Sequence, residues 1–265
     1  MSGIVVYYSY VSEKKDLLPP INILKKHFAA DTKTAWMKDQ DMQLPFKCPA
    51  MRDFYKNVFG VPSLWDYTVR IKDGKIFSEE RNDEFFKNAI QVRSHELRGL
   101  SLKLSNLVLL PEPDSLMFTQ YPPFLEDTLQ HGNYFPGSFD VGIYPRTIDL
   151  ALRFLSDTDW QLKREDILYY IKFHTKEKIV FKPFVFTDKL DRLFSEAPLR
   201  KGPPFITRVR GAFKALGYQP PDKPATSTEW INNFKKPQPM KWYYDLFAKS
   251  TIKQDMLAEA RANLL

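Results

Sequence analysis

Ile148-Asp149-Leu150-Ala151-Leu152-Arg153-Phe154 sets apolar residues at every second position, the spacing that sends one set of side chains into a core and the other toward water. It is the clearest strand in the chain, and the stretch around it, residues 106–186, decides the fold. Before it, residues 107–110 form a continuous apolar run, and residues 115–120 follow past Pro111 and Pro113; these read as two strands divided by a turn. After it, residues 167–173 and 179–186 are rich in β-branched and aromatic side chains, with polar residues 174–178 between them. That pattern predicts a hairpin. Pro183 lacks an amide donor, which assigns it to a sheet edge or bulge.

Toward the N-terminal side, residues 4–10 read as an opening strand, and Ile21, Leu24 and Phe28 recur at helical spacing after Pro19 and Pro20. Residues 32–37 read as a further strand. Pro49 opens an expected helix over residues 50–59, with Met51, Phe54, Tyr55 and Val58 on one face and Gly60 as its stop. Asp73-Gly74 lies between two strand-like runs, and both residues tolerate the positive φ of a tight hairpin turn. Asn82 can cap a short helix, and residues 91–104 alternate again.

The 265 residues, 43% hydrophobic and 15% aromatic, suffice for a sizeable core in one large or two smaller domains. Charge is uneven. Residues 1–197 hold 27 Lys and Arg against 27 Asp and Glu, while residues 198–265 hold 12 against 5, so the whole excess of +7 sits in the last quarter, with 8 of the 20 prolines. After Phe186, Thr187 caps an expected helix over residues 188–196; within the last quarter Phe205, Val209, Phe213 and Leu216 recur at helical spacing, and Thr251 with Gln254 forms a capping box. The sole cysteine, Cys48, excludes an internal disulfide. No apolar run approaches the roughly 20 residues that cross a bilayer, and no basic region precedes the first apolar residues. A soluble protein without a signal peptide, in a host cytoplasm or a virion, is expected, with no membrane partner.

Motifs exclude more chemistry than they supply. The four histidines stand 36 or more residues apart, without the ligand spacings of a zinc or iron site, so no metal and no cofactor is expected. No nucleophile elbow, phosphate-binding loop or dinucleotide fingerprint is present. One segment concentrates reactive groups: residues 131–146 hold His131, Asn133, Tyr134, Ser138, Asp140, Tyr144 and Arg146 among three glycines, polar groups on a connection that precedes a rigid strand. The candidate catalytic residues are His131, Asp140 and Arg146. The competing reading is a turn at Pro136-Gly137, with Asp140 accepting local backbone hydrogen bonds.

Lys47-Cys48-Pro49-Ala50, Asp53-Phe54-Tyr55-Lys56-Asn57, Tyr121-Pro122-Pro123-Phe124 and Pro136-Gly137-Ser138-Phe139-Asp140-Val141-Gly142 with Arg146 resemble an uncharacterised group of proteins encoded by tailed bacteriophages, over roughly residues 45–186. That resemblance implies a viral source and no particular reaction. A fainter similarity is to the compact β-folds of dUTPase-like enzymes, whose glycine-containing phosphate motifs this chain lacks.

The resulting expectation is a mainly β (α+β) protein: a β-sandwich or jelly-roll-like core domain with short helices over residues 1–186, then a helical, proline-rich basic arm over residues 187–265. Its expected function is non-catalytic, a phage structural or accessory protein acting by protein–protein assembly with other subunits, including copies of itself. The alternative is an enzyme of nucleotides or nucleic acid working at the 131–146 loop. In the arm, Arg200, Lys201, Arg208, Arg210, Lys214, Trp242 and Tyr243 are the candidate binding residues. Such cationic and aromatic groups suit a neighbouring subunit or a nucleic acid, whose phosphates attract Lys and Arg and whose bases stack on rings.

Overall fold

The computed structural model describes residues 3–11, 16–28, 49–73, 75–78, 90–94, 99–126, 132–143, 147–154, 156–196 and 252–265. They form a mainly β protein of three sheets with a few short helices. The first sheet runs β14 (Ile179–Pro183), β1 (Ile4–Tyr10), β7 (Gly99–Pro111), β11 (Thr147–Phe154) and β9 (Gly132–Tyr134), with β6 (Ile90–Ser94) also on β7. The second runs β10 (Gly137–Asp140), β8 (Met117–Tyr121), β13 (Ile167–Phe173), β3 (Val58–Pro62) and β2 (Ile21–Asn22). In the third, β4 (Tyr67–Lys72) lies between β12 (Thr158–Leu162) and β5 (Lys75–Ser78).

β11 bears out its alternation: Ile148, Leu150, Leu152 and Phe154 are buried, and the residues between them are more open. They share one apolar cluster with Val6 and Leu109 of the first sheet and with Phe59, Phe118 and Ile171 of the second. Burying a large apolar side chain contributes about 1.5–3 kcal/mol, so this shared cluster ties the two sheets together. Polar contacts cross it beside an irregularity of β11. The register of β11 on β7 shifts between Ile148 and Leu150, freeing carbonyls there; Gln120 Nε2 donates to Asp149 O at 3.2 Å and the Tyr169 hydroxyl to Ile148 O at 3.5 Å.

The other faces of the two large sheets carry the helices. Ile23 of α1 (Ile23–Phe28) and Tyr55 of α2 (Pro49–Tyr55) pack with Val58, Ile167 and Tyr170 on the second sheet. On the first sheet, Tyr7, Val108 and Leu110 meet α3 (Asp188–Glu196) and α4 (Ile252–Ala262) through Leu190, Phe194, Met256 and Leu257. The described ends of segment 187–265 thus lie against the β-rich part. Thr187 caps α3, its hydroxyl oxygen accepting Leu190 N–H at 3.2 Å.

Two sequence expectations are corrected. Strands 167–173 and 179–183 are not a hairpin: both edges of β13 are taken, by β8 and β3, and β14 instead lies parallel to β1 in the other sheet. β14 ends the strand order of that sheet, as Pro183 requires. The helix expected over residues 50–59 stops at Tyr55, because Asn57 takes φ 58 and its amide nitrogen donates to Thr175 O at 2.9 Å and Glu177 O at 2.7 Å. Gly60 then lies within β3, where a Cβ would come within 2.9 Å of Ile167. The hairpin expected at 73–74 forms, with Lys72 opposite Lys75 and Asp73 at φ 51. The strand over 32–37 and the helices expected after Asn82 and over 205–216 lie outside the described residues.

Candidate functional site

The segment with the richest chemistry in the sequence is a crossing between sheets. β9 pairs with β11 of the first sheet and β10 with β8 of the second. Between them Phe135 N–H donates to Ala151 O at 2.9 Å, and the Phe135 ring is half exposed. β10 then delivers Asp140 to the chain's next reversal. Its Oδ1 accepts the backbone N–H groups of Leu116 (2.9 Å), Gly142 (3.0 Å) and Ile143 (3.2 Å), and its Oδ2 accepts the Ser115 hydroxyl (2.5 Å). Three donors thus converge on Oδ1 and one on Oδ2. Gly142 completes the reversal by close approach: a Cβ there would stand 2.6 Å from Asp114 O.

Beside this reversal lies Lys253 of α4, buried to 6% exposure, its ammonium donating to Pro113 O at 2.7 Å and to Asp114 Oδ1 at 3.3 Å. Burial pushes its pKa down, and the pull of the Asp114 carboxylate only partly restores it. These groups hold chain to chain. Among the other expected site residues, Asn133, Tyr134 and Ser138 are described, whereas His131, Tyr144 and Arg146 lie outside the described residues, as do Arg200, Lys201, Arg208, Arg210, Lys214, Trp242 and Tyr243. Tyr134 is packed against the main core, and burial drives its phenol pKa far up.

Two constellations escape sequence reading because their members are distant along the chain. On the outer face of the second sheet, Thr119 Oγ1 lies 2.9 Å from Ser138 Oγ and 2.7 Å from His174 Nε2. The threonine stands between serine and imidazole, and no carboxylate orients His174 among the described residues. Register alone brings Ser138 opposite Thr119 and Thr119 opposite Lys172, two residues before His174.

The second constellation centres on Glu126, whose side chain retains 13% exposure. Lys26 Nζ reaches its Oε2 at 2.7 Å, while His27 Nε2 and the Tyr170 hydroxyl reach its Oε1 at 2.8 and 3.1 Å. Burial pushes this carboxyl up, but the bonds and charges of Lys26 and His27 outweigh it and hold it below the usual carboxylate range. Burial first and the Glu126 charge second push the Tyr170 phenol upward. Around it, the Phe124 ring packs edge-on against Tyr170 and at a tilt against Tyr55. The cluster staples α1 to the turn after β8. An open cleft of about 380 Å³ nearby is lined by Leu24, Pro49, Asp53 and Lys56, and holds neither Glu126 nor Asp140.

Among the described residues no three His, Cys, Asp or Glu side chains converge closely enough to hold a metal ion, and no helix is long and apolar enough to cross a membrane. Comparison with protein-family models, curated proteins and solved structures finds no match. Function must therefore be argued from this chain's own geometry.

Proposed function

We propose that the protein is a non-catalytic structural or accessory component of a tailed bacteriophage that acts by protein–protein assembly, its two large sheets forming a sandwich-like body and segment 187–265 engaging other subunits. The observation that carries this reading is the state of Asp140. An enzyme working at the 131–146 loop needs a carboxylate facing a cavity, whereas this one is buried to 8% exposure and holds the hydroxyl of Ser115 and the backbone N–H groups of Leu116, Gly142 and Ile143. The concentration of the net charge in residues 198–265 supports a role for that segment in contacts between molecules.

Sedimentation of the full chain across a wide concentration range tests assembly. A mass above 31.1 kDa that grows with concentration is expected; a chain that stays at 31.1 kDa throughout, and is missing from purified particles of its source by mass spectrometry, overturns the reading.

A further inference from the structure

Three strands set hydrogen-bonding side chains in a row on the outer face of the second sheet. Ser138 of β10 stands opposite Thr119 of β8, and Thr119 opposite Lys172 of β13, so the three side chains share one face. His174 follows two residues after Lys172. Thr119 Oγ1 lies 2.9 Å from Ser138 Oγ and 2.7 Å from His174 Nε2. α1 and α2 cover this face around Val58, Ile167 and Tyr170, whereas Ser138 and His174 stay exposed.

Counting protons shows what the row presents to the outside. A hydroxyl carries one, a neutral imidazole one and an imidazolium two. The Ser138–Thr119 and Thr119–His174 contacts use one proton each, whichever atom donates. With neutral His174 a single proton is left, so one end of the row is a donor and the other an acceptor. With the imidazolium two are left: Nε2–H donates to Thr119, Thr119 donates to Ser138, and the Ser138 hydroxyl and His174 Nδ1–H both await an outside acceptor. Neither Ser138 Oγ nor Nδ1 has another hydrogen-bond partner among the described residues.

Charge points the same way. Lys172 Nζ rests 4.3 Å from the centre of the Phe54 ring of α2 and has no carboxylate partner among the described residues. Of the other charged groups around the row, Lys176, Glu177 and Lys178 lie in the link to β14. Asp140 is taken by Ser115 and backbone N–H groups, Asp114 by Lys253, while Asp53 and Lys56 line the cleft beside α2.

We propose that Ser138, Thr119, His174 and Lys172 form a binding site for a tetrahedral dianion, a phosphoryl or sulfate group, completed by protonation of His174. Two cations match its two charges. Three outward donors, the Ser138 hydroxyl, His174 Nδ1–H and the Lys172 ammonium, suit an anion with more oxygens than a carboxylate has. An imidazole ordinarily takes its second proton at about pH 6.5, so binding strengthens as pH falls through that region. The site does not depend on the assembly reading above.

Sulfate is the probe, because its double charge does not change across the titration of an imidazole. The ring signals of the four histidines of the full chain are followed by NMR through a pH titration, with His174 assigned by its loss in His174→Gln. Sulfate should move the His174 midpoint upward by about half a pH unit, since a bound anion favours the charged imidazole; chloride at the same ionic strength should not. Thr119→Val, which breaks the row, and Ser138→Ala, which removes a donor, should each lose most of that shift. Equal movement of all four histidines, or equal movement in chloride, shows screening alone and overturns the site. A sulfate shift that survives both substitutions overturns the role of the row, and acetate matching sulfate at equal ionic strength overturns the tetrahedral class.

Discussion

The Asp140 carboxylate accepts the Leu116 N–H at 2.9 Å, joining two residues 24 apart in sequence at the end of the β8–β10 pair. The same oxygen serves Gly142 and Ile143. Asp140→Ala strands these donors in a buried place, at about 1–3 kcal/mol for each group left without a partner, so a loss of about 3 kcal/mol in urea unfolding is expected. Asp140→Asn keeps an acceptor in place and should lose about 1 kcal/mol. Equal losses for both, or none, contradict the structural role.

Asn57 combines a left-handed backbone with two side-chain hydrogen bonds to the link between β13 and β14. Asn57→Gly relieves the backbone but loses both bonds; Asn57→Ala loses both and adds about 1–2 kcal/mol of left-handed strain. The alanine variant should therefore unfold at clearly lower urea concentration than the glycine variant. The reverse order would show that φ 58 is not what the site demands.

Opposite signs are expected at two turns. Gly142→Ala drives a Cβ to 2.6 Å from Asp114 O and 2.7 Å from Ser115 Cα, both backbone atoms that cannot swing aside, at about 1–3 kcal/mol. Glu165 holds φ 76 in the tight reversal before β13, where Glu165 N–H donates to Ser63 O at 2.9 Å. Glu165→Gly keeps that bond and removes the strain, so a gain of about 0.5 kcal/mol is expected after the entropy glycine adds to the unfolded chain. Melting temperatures of the two variants check the pair.

Glu126 makes a pH-dependent contribution. Its folded pKa lies below the ordinary value near 4.3, so the stabilisation from Lys26, His27 and Tyr170 is complete above that value and is lost as pH falls through the folded one. Below about 4.3 the stability difference between wild type and Glu126→Gln should shrink as pH falls. A difference that grows below that pH would reverse the sign and discard this account of the cluster.

What could be read without coordinates was local. The period of two in residues 148–154, the Thr187 cap and the Asp73-Gly74 turn each depend on residues a few positions apart, because φ/ψ preference, one-sided burial and capping are near-neighbour effects. Which strands meet was not local. Residues 167–173 and 179–183 read as neighbours, yet β13 had both edges filled and β14 found β1, some 175 residues earlier, as Ile4 opposite Ile179 shows. The same holds for chemistry. Asp140 looked available because its acceptors are filled by backbone N–H groups that any sequence carries, and Glu126 was overlooked because Lys26 and His27 lie 100 and 99 residues away. Residue type and spacing decided the strand over 148–154, the Asp73-Gly74 turn and the Thr187 cap. Only long-range packing decided which edges remained free and which polar groups were left with nothing to do, because those follow from the competition of all segments for one core.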